Sequence, residues 1–513
     1  SSDLSRFTET REQAGQPLPF AGRSDSKSRT NYGRGHFSAV FDPTPKHTAG
    51  FDIEYTERST HMPTLSRTTL GQTQSDSRYR QHMDGNTLTA TANYIWKIDT
   101  LGSQFKLIAD YTRYTSDGDN SYHTTTCAPG TLRDSLYESA TGSVYDILTA
   151  DAGLTRKLPH GLTLRAGLRY TRNDMADKSR YAAQTQGTWL ALPEYSYDQH
   201  YTEQIGAAYA SLEYSAGRWE LSAGLRGEYT SVASQAFGRS YFGLFPNVSV
   251  SRALNALRTW LLVAQWSRNI ERPAFPALNP ARIRISDYSW QSGNPSLRPT
   301  YIHRFSLTAV WKYRYTLTVG GNLHHDLIRE IAHRDATAPD AVYIRPENHY
   351  TENHWFVAAS VPAKITRWWN LSVNAVGVMQ RIRLNSTDSP ATHYLMFADA
   401  TCSFTLPAGF FAEAVYRAQS RLYSGNSEVG PRHTLSATVK KQLFGKRLTL
   451  FCTLSNITGC DWEFASLTDG MRRTIDTGQA WSGRLWKVGA AWNFRTGKKF
   501  RARTVESAAE TQR

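Results

Sequence analysis

Cysteine is scarce. The four in 513 residues, Cys127, Cys402, Cys452 and Cys460, are spaced too irregularly for a disulfide framework or a C-x-x-C metal knuckle. No run of eighteen apolar residues occurs and mean hydropathy is −0.51, so helices do not carry this chain across a membrane. There is no G-x-S-x-G elbow and no His ordered with Ser and Asp, which leaves no enzyme to argue for. Negative charge is the minority sign: 44 Asp and Glu stand against 59 Lys and Arg, for a net charge of +15. The basic residues are spread along the chain without an RNP, zinc or helical basic motif, so nucleic acid is not the expected partner. Residues 1–3 (Ser-Ser-Asp) carry neither Met nor the start of a leader, and the expectation is that a secretory signal was removed or lies upstream. What is abundant is aromatic: 27 Tyr, 21 Phe and 14 Trp, too many for a disordered chain.

Apolar residues recur with period two rather than at helical spacing, which predicts an all-β protein. From Trp219 to Tyr229 one face carries Trp219, Leu221, Ala223, Leu225, Gly227 and Tyr229, and the other Glu220, Ser222, Gly224, Arg226 and Glu228. Rows at 162–171 and 486–494 divide in the same way. Each apolar row is small in its middle and aromatic at an end, a distribution that suits lipid better than a packed sandwich core. About nineteen such segments begin near residues 34, 48, 87, 103, 144, 162, 203, 218, 240, 258, 301, 315, 349, 368, 391, 409, 430, 446 and 482. Short connections (43–46, 100–103, 159–161, 215–218, 252–257, 313–314, 407–409, 445–446) alternate with long ones (60–86, 116–143, 173–202, 270–300, 334–348, 458–481). That alternation predicts a transmembrane antiparallel barrel with short periplasmic turns and long extracellular loops. It must be closed, because an open edge would strand backbone polar groups in hydrocarbon.

Parity adds a constraint. If 482–496 descends toward the periplasm, the segment near 34–42 descends too, and two descending strands cannot pair antiparallel. At least one ascending strand is needed: either residues 1–12 supply a weak one, for a total of 19 to 20 strands, or it lies in sequence upstream. The expected organisation is a polar segment at 1–30 with a partial strand, a barrel over 31–496, and a basic periplasmic tail over 497–513.

The distinctive stretch follows the strand that ends at Asn269. Arg272-Pro273 comes first, then Asn279-Pro280, then Gly293-Asn294-Pro295, Leu297 and Pro299. The order and spacing resemble the barrel of TonB-dependent outer-membrane receptors, in the Bacteroidota-type outer membrane protein beta-barrel branch. Thr300 stands where members often place Glu. For these nine residues the structural reading comes first: Pro and Gly set turns and fix the re-entry of the next strand. The resemblance implies a 22-stranded barrel in the bacterial outer membrane, uptake of a scarce nutrient, an internal plug and coupling to TonB. Nothing in residues 1–30 can form a plug, so the plug lies upstream, in a second chain, or is absent. The alternatives are a passive pore and a barrel that docks a surface lipoprotein.

Arg268, Arg282, Arg284, Tyr288 and Trp290 concentrate guanidinium forks and flat rings around the 270–300 loop. They are candidate contacts for an anionic or glycan-like ligand. Basic, aromatic loops equally suit lipopolysaccharide and outer-membrane lipid. Arg165, Arg169, Glu220, Arg226, Glu228, Arg304, Asp399 and Arg417 are expected on the lumen wall. No cofactor is expected. Adjacent His324 and His325 point to opposite faces of a strand, and His349 and His354, five apart, do so in a regular one.

Overall fold

The computed structural model describes residues 2–13, 16–235, 237–286, 289–335, 341–460, 462–468, 471–478 and 484–493. Among them one four-residue helix and three 3-10 turns interrupt 28 strands, and no helix is long and apolar enough to cross a membrane. Nine of the strands are short or belong to the loop end, which leaves nineteen in the wall. These are β1 (Arg29–Thr44), β2 (His47–Leu70), β3 (Thr73–Lys97), β4 (Gln104–Ala128), β5 (Thr131–Lys157) and β6 (Leu162–Thr185). Next come β7 (Tyr197–Ala216), β8 (Trp219–Ser234), β9 (Gly238–Ala253), β10 (Trp260–Glu271), β11 (Thr300–Trp311) and β12 (Tyr315–Arg334). The wall ends with β13 (Val342–Lys364), β14 (Trp369–Arg383), β15 (Ala391–Leu406), β16 (Phe410–Gln419), β17 (Arg432–Leu443), β18 (Leu448–Ser455) and β19 (Leu485–Trp492). Each pairs antiparallel with the next, in sequence order.

The period-two faces fall as the sequence demands. Leu221, Leu225 and Tyr229 of β8 are exposed on the outside, while Glu228 is buried inside. Exposed Trp96, Trp219, Trp260, Trp311 and Trp368 ring the short-turn end, with Trp260 and Trp311 stacked at 5.7 Å. Indole rings prefer that level of the bilayer because one edge is apolar and the other polar. Leu225→Arg, in mid-belt, is expected to destabilise the inserted barrel by about 2–4 kcal/mol, read as a lower midpoint of heat-modifiable migration.

Three of the expected long loops are corrected. Most of 60–86, 116–143 and 173–202 is strand: β2 meets β3 at residues 71–72, and β4 meets β5 at 129–130. Gly71 (φ 58°) and Gly130 (φ 77°) take the left-handed conformation those tight turns require. Above the bilayer water wets both faces, so the apolar row stops while Thr- and Tyr-rich ladders continue. The rim is uneven: β2 to β6 run 24 to 27 residues, whereas β16, β17 and β18 have 10, 12 and 8.

Residues 2–13 do form a strand, Ser2–Gln13. It pairs antiparallel with Gln16–Lys27, which continues into β1, and with Met471–Gly478 on its other side. A hydrogen-bonded ring therefore joins both ends of the wall at the loop end. Below it, among the described residues, β1 has a ladder with β2 alone and β19 with β18 alone. The tail beyond residue 493 lies outside the described residues.

Candidate functional site

Prolines remove ladder donors, so the chain cannot continue β10 beyond Glu271 and turns into the lumen. Residues Phe275–Leu278 form the helix α1, and Phe275, Leu278 and Leu297 pack with Tyr201 of β7 and Val232 of β8 into a buried cluster. The two ends of the loop are sewn together by Gly293 N–H to Asn279 O (2.7 Å) and Asn294 N–H to Ala277 O (2.6 Å). A side chain on Gly293 would meet Asn279 O, and Ala277 O and Asn279 N at 2.7 Å, all of them backbone. Gly293→Ala is thus expected to cost about 1–3 kcal/mol of overpacking and to loosen this loop, seen as faster proteolysis at 272–299 with the barrel intact.

The remaining motif residues serve the same docking. Pro273 and Pro299 are buried, Pro280 and Pro295 flank the turns, and Asn279 Oδ1 accepts from Ala281 N–H at 3.0 Å. Asn294 donates to Pro346 O at 3.1 Å, and Thr300, fully buried, donates to Asp326 O at 2.9 Å. Arg272 donates to Glu228 (2.5 Å) and Thr230 (2.9 Å), and Arg226 reaches the same carboxylate at 2.5 Å. Two guanidinium groups thus share one buried anion, and the loop is latched to β8.

Beyond the latch, Arg282–Ser286 and Ser289–Ser292 form a hairpin. Its second arm pairs parallel with Val342–Ile344 at the top of β13, and Trp290 donates to Asp335 at 2.9 Å. On the far side the guanidinium of Arg284 lies 4.1 Å over Tyr137 of β5 and 5.9 Å from Tyr122 of β4. Strands β5 and β13 are eight positions apart in the wall, so the hairpin bridges the mouth. Arg282 is 3.7 Å from Asp335. Tyr288 lies outside the described residues. Arg268 does not share this place: on β10 it belongs to the outward row with Trp266, stacks 4.9 Å over Tyr301 and donates to Leu244 O.

The expected lumen residues are spread along the wall. Arg165 holds Glu213 through two bonds (2.9 and 3.2 Å), and with Arg169 and Arg226 it lines a recess of about 590 Å³. Arg304 sits with Gln265 and Asn322 in another of about 390 Å³. Asp399 accepts from Asn374 at 2.9 Å and faces Arg417 in register. Glu220 is exposed near the short-turn end of β8.

A polar knot escaped the sequence reading. Glu352 on β13, three residues before the exposed Trp355 on the loop side, is fully buried. It accepts from Arg329 (2.8 and 3.2 Å), His354 (2.9 Å) and Gln380 (2.8 Å), with His349 at 3.4 Å. His349 and His354 therefore converge on one carboxylate instead of facing apart. The strand is not regular there: Pro346, His349 and Glu352 are buried at intervals of three, opposite Asp326 with φ 57°. His324 joins them, its ring 5.0 Å from that of His354, while His325 turns to Asp326. Among the described residues no three His, Cys, Asp or Glu side chains converge closely enough to hold a metal ion.

Burial alone would raise the acidity constant of Glu352. The hydrogen bonds from His354 and Arg329, the His349 ring beside the carboxylate and the Arg329 charge outweigh it and hold the carboxyl far below the usual carboxylate range.

A model of the outer membrane protein beta-barrel family matches residues 96–488. No curated protein matches the chain. Among solved structures, the ferric-catecholate import receptor Fiu from E. coli K12 in its closed form is 9% identical with a TM-score of 0.54, over 93% of this chain and 81% of that one. The FpvAI–pyocin S2 complex is 10% identical with a TM-score of 0.50, over 93% and 73%. At such identity the likeness is one of fold. The matched model covers most of the wall, and the chain belongs to the outer membrane protein beta-barrel family, a Gram-negative outer-membrane barrel built like the TonB-dependent receptors.

Proposed function

We propose that this chain is the wall of an energised importer, which captures a nutrient at its extracellular mouth and releases it inward when TonB acts on a plug within the lumen. The observation that supports this reading over a passive pore is the hairpin across the mouth, tied to β4 and β5 on one side and to β13 on the other. In a sieving pore such a latched obstruction would only narrow the passage. An importer gains a surface on which ligand is held before passage. Arg282, Arg284 and Trp290 belong to that surface. Arg165, Arg169, Arg226, Glu228, Arg304, Asp399 and Arg417 present both signs of charge to the plug. Lipopolysaccharide and outer-membrane lipid surround the belt.

The test is an intact-mass spectrum, under denaturing conditions, of the complex extracted from its native membrane and captured on the periplasmic domain of TonB. The expected result is a species heavier than 57.7 kDa, or a second chain of plug size retained with this one. A lone 57.7 kDa species that TonB does not retain would overturn the reading.

A further inference from the structure

The two ends of the barrel do not share its charge. Nine short turns join the wall strands at the end that faces the periplasm: 42–47, 97–103, 156–161, 217–220, 252–259, 312–314, 364–368, 407–409 and 440–447. Together they hold fifteen Lys and Arg against three acids, Asp42, Asp99 and Glu220. They carry twelve of the chain's fifteen net positive charges, and everything else is nearly balanced at 44 basic against 41 acidic residues. Of the fifteen cations twelve are exposed and none is buried. Among the described residues only Arg156 of this collar has a carboxylate within ion-pair distance, Asp99 at 3.6 Å. Self-repulsion makes such a collar costly unless an anion outside the chain neutralises it.

The depth of the collar identifies the anion. Each of the five indoles that ring the short-turn end has a cation one or two positions away in sequence: Lys97, Arg218, Arg258, Lys312 and Arg367. One or two extended residues span about 3–7 Å. Because indole rings settle among the headgroups, these ammonium and guanidinium groups lie at the level of the lipid phosphates. Three cations are also held against rings of the wall instead of pointing away from it. Arg252 lies 4.7 Å over Trp219, Lys312 4.6 Å over Trp311 and Lys441 3.9 Å over Phe410. A soluble acidic protein would have to press into the headgroups to reach them.

Charge is densest at the turn between β17 and β18. Lys440, Lys441, Lys446 and Arg447 fall within eight residues, beside the exposed rings of Phe410 and Phe444. Lys441 donates to Ala408 O at 2.5 Å, which ties this turn to its neighbour. A phosphate that carries acyl chains matches the arrangement, since the cations take the phosphate and the rings take the first methylenes.

We propose that the short-turn collar is a binding surface for anionic phospholipids of the periplasmic leaflet, with its strongest site at the turn between β17 and β18. The inference concerns the lipid that holds the barrel and is independent of what the barrel imports.

The purified full chain in non-ionic detergent is mixed with equal amounts of phosphatidylglycerol and phosphatidylethanolamine of identical acyl chains, and the lipids retained are counted by native mass spectrometry. Phosphatidylglycerol is expected to be retained at least about fivefold over phosphatidylethanolamine. The preference should shrink as ammonium acetate rises from about 0.1 M to about 1 M, because the screening length falls about threefold. The variant Lys440→Gln/Lys441→Gln/Lys446→Gln/Arg447→Gln should lose most of the preference. Arg67→Gln/Arg78→Gln/Arg80→Gln/Arg180→Gln, which removes as much charge from the outward rows at the loop end, should keep it. Heat-modifiable migration reports whether each variant is folded, and the ratio in the parent with its salt dependence tests the proposal without any variant. Equal retention of the two lipids overturns the proposal, as does a loss of preference in the loop-end variant as large as that in the collar variant. Displacement of bound phosphatidylglycerol by poly-glutamate at equal charge concentration overturns it too, and would assign the collar to an acidic protein.

Discussion

Replacing residues 282–292 by a short Gly-Ser linker is expected to raise the single-channel conductance of the chain in planar bilayers several-fold and to remove its rapid closures. The hairpin touches wall strands eight positions apart through three independent contacts: the ladder at Val342–Ile344, the Trp290–Asp335 bond and the Arg284–Tyr137 stack. Solvent-exposed pieces of this kind contribute little to the stability of a barrel whose ladders lie elsewhere, so the variant should insert normally. The anchor formed by Phe275, Leu278 and Leu297, and the Arg272–Glu228 latch, stay in place. Arg272→Ala gives the complementary case: the hairpin is present but its root is loosened, and conductance should flicker between the closed and the open level. Equal conductance in the parent and the deletion would mean that the hairpin does not obstruct the lumen.

Glu352→Leu is expected to be strongly destabilising, at about 3–5 kcal/mol, because it removes the fully buried carboxylate that Arg329, His354 and Gln380 share and leaves their polar groups without it. The midpoint of heat-modifiable migration should fall accordingly, and Glu352→Gln should fall less. The parent carries a pH signature of its own. The carboxyl of Glu352 is depressed in the folded state, so its contribution is fully present above the unfolded value of about 4.3 and is lost as pH drops through the folded value. The parent should therefore lose stability steadily below about pH 4, and Glu352→Gln should lose less over the same interval. Parallel acid profiles for the two proteins would show that this carboxyl does not carry the effect.

Sequence patterning reveals the wall wherever one face meets lipid. Trp219 to Tyr229 alternates so strictly that neither the strand nor its orientation is in doubt, and the nineteen expected segments correspond one by one to β1–β19. The extensions of β2 to β6 are hidden because alternation of apolar and polar ceases where both faces are wet. Tyr79, Tyr122 and Tyr137 fall in stretches that read as loops, yet the signal was there: charge alternates even where hydrophobicity does not, as in Asp76, Arg78 and Arg80. The Glu352 knot is harder. His324, His349, His354 and Arg329 meet because β13 breaks its period and Asp326 adopts positive φ, and neither event has a local sequence mark. Gly293 looks like a turn glycine, but its requirement is the close approach of another backbone segment.

The uneven rim differs from side to side in how it is built. Some nine to eleven residues suffice to cross the bilayer, so in β4, with 25, about fourteen remain, and the tall side stands roughly 35 Å proud of the lipid after tilt. Across the mouth β16 and β18 have only 10 and 8 residues, and what stands above them is the hairpin of Trp462–Thr468 and Met471–Gly478, held to Ser2–Gln13. The rim is therefore made in two ways: β2 to β6 carry the wall upward without a break, while the other side is raised by a separate piece joined through its own ladders. A protease that trims the second piece would leave the first standing.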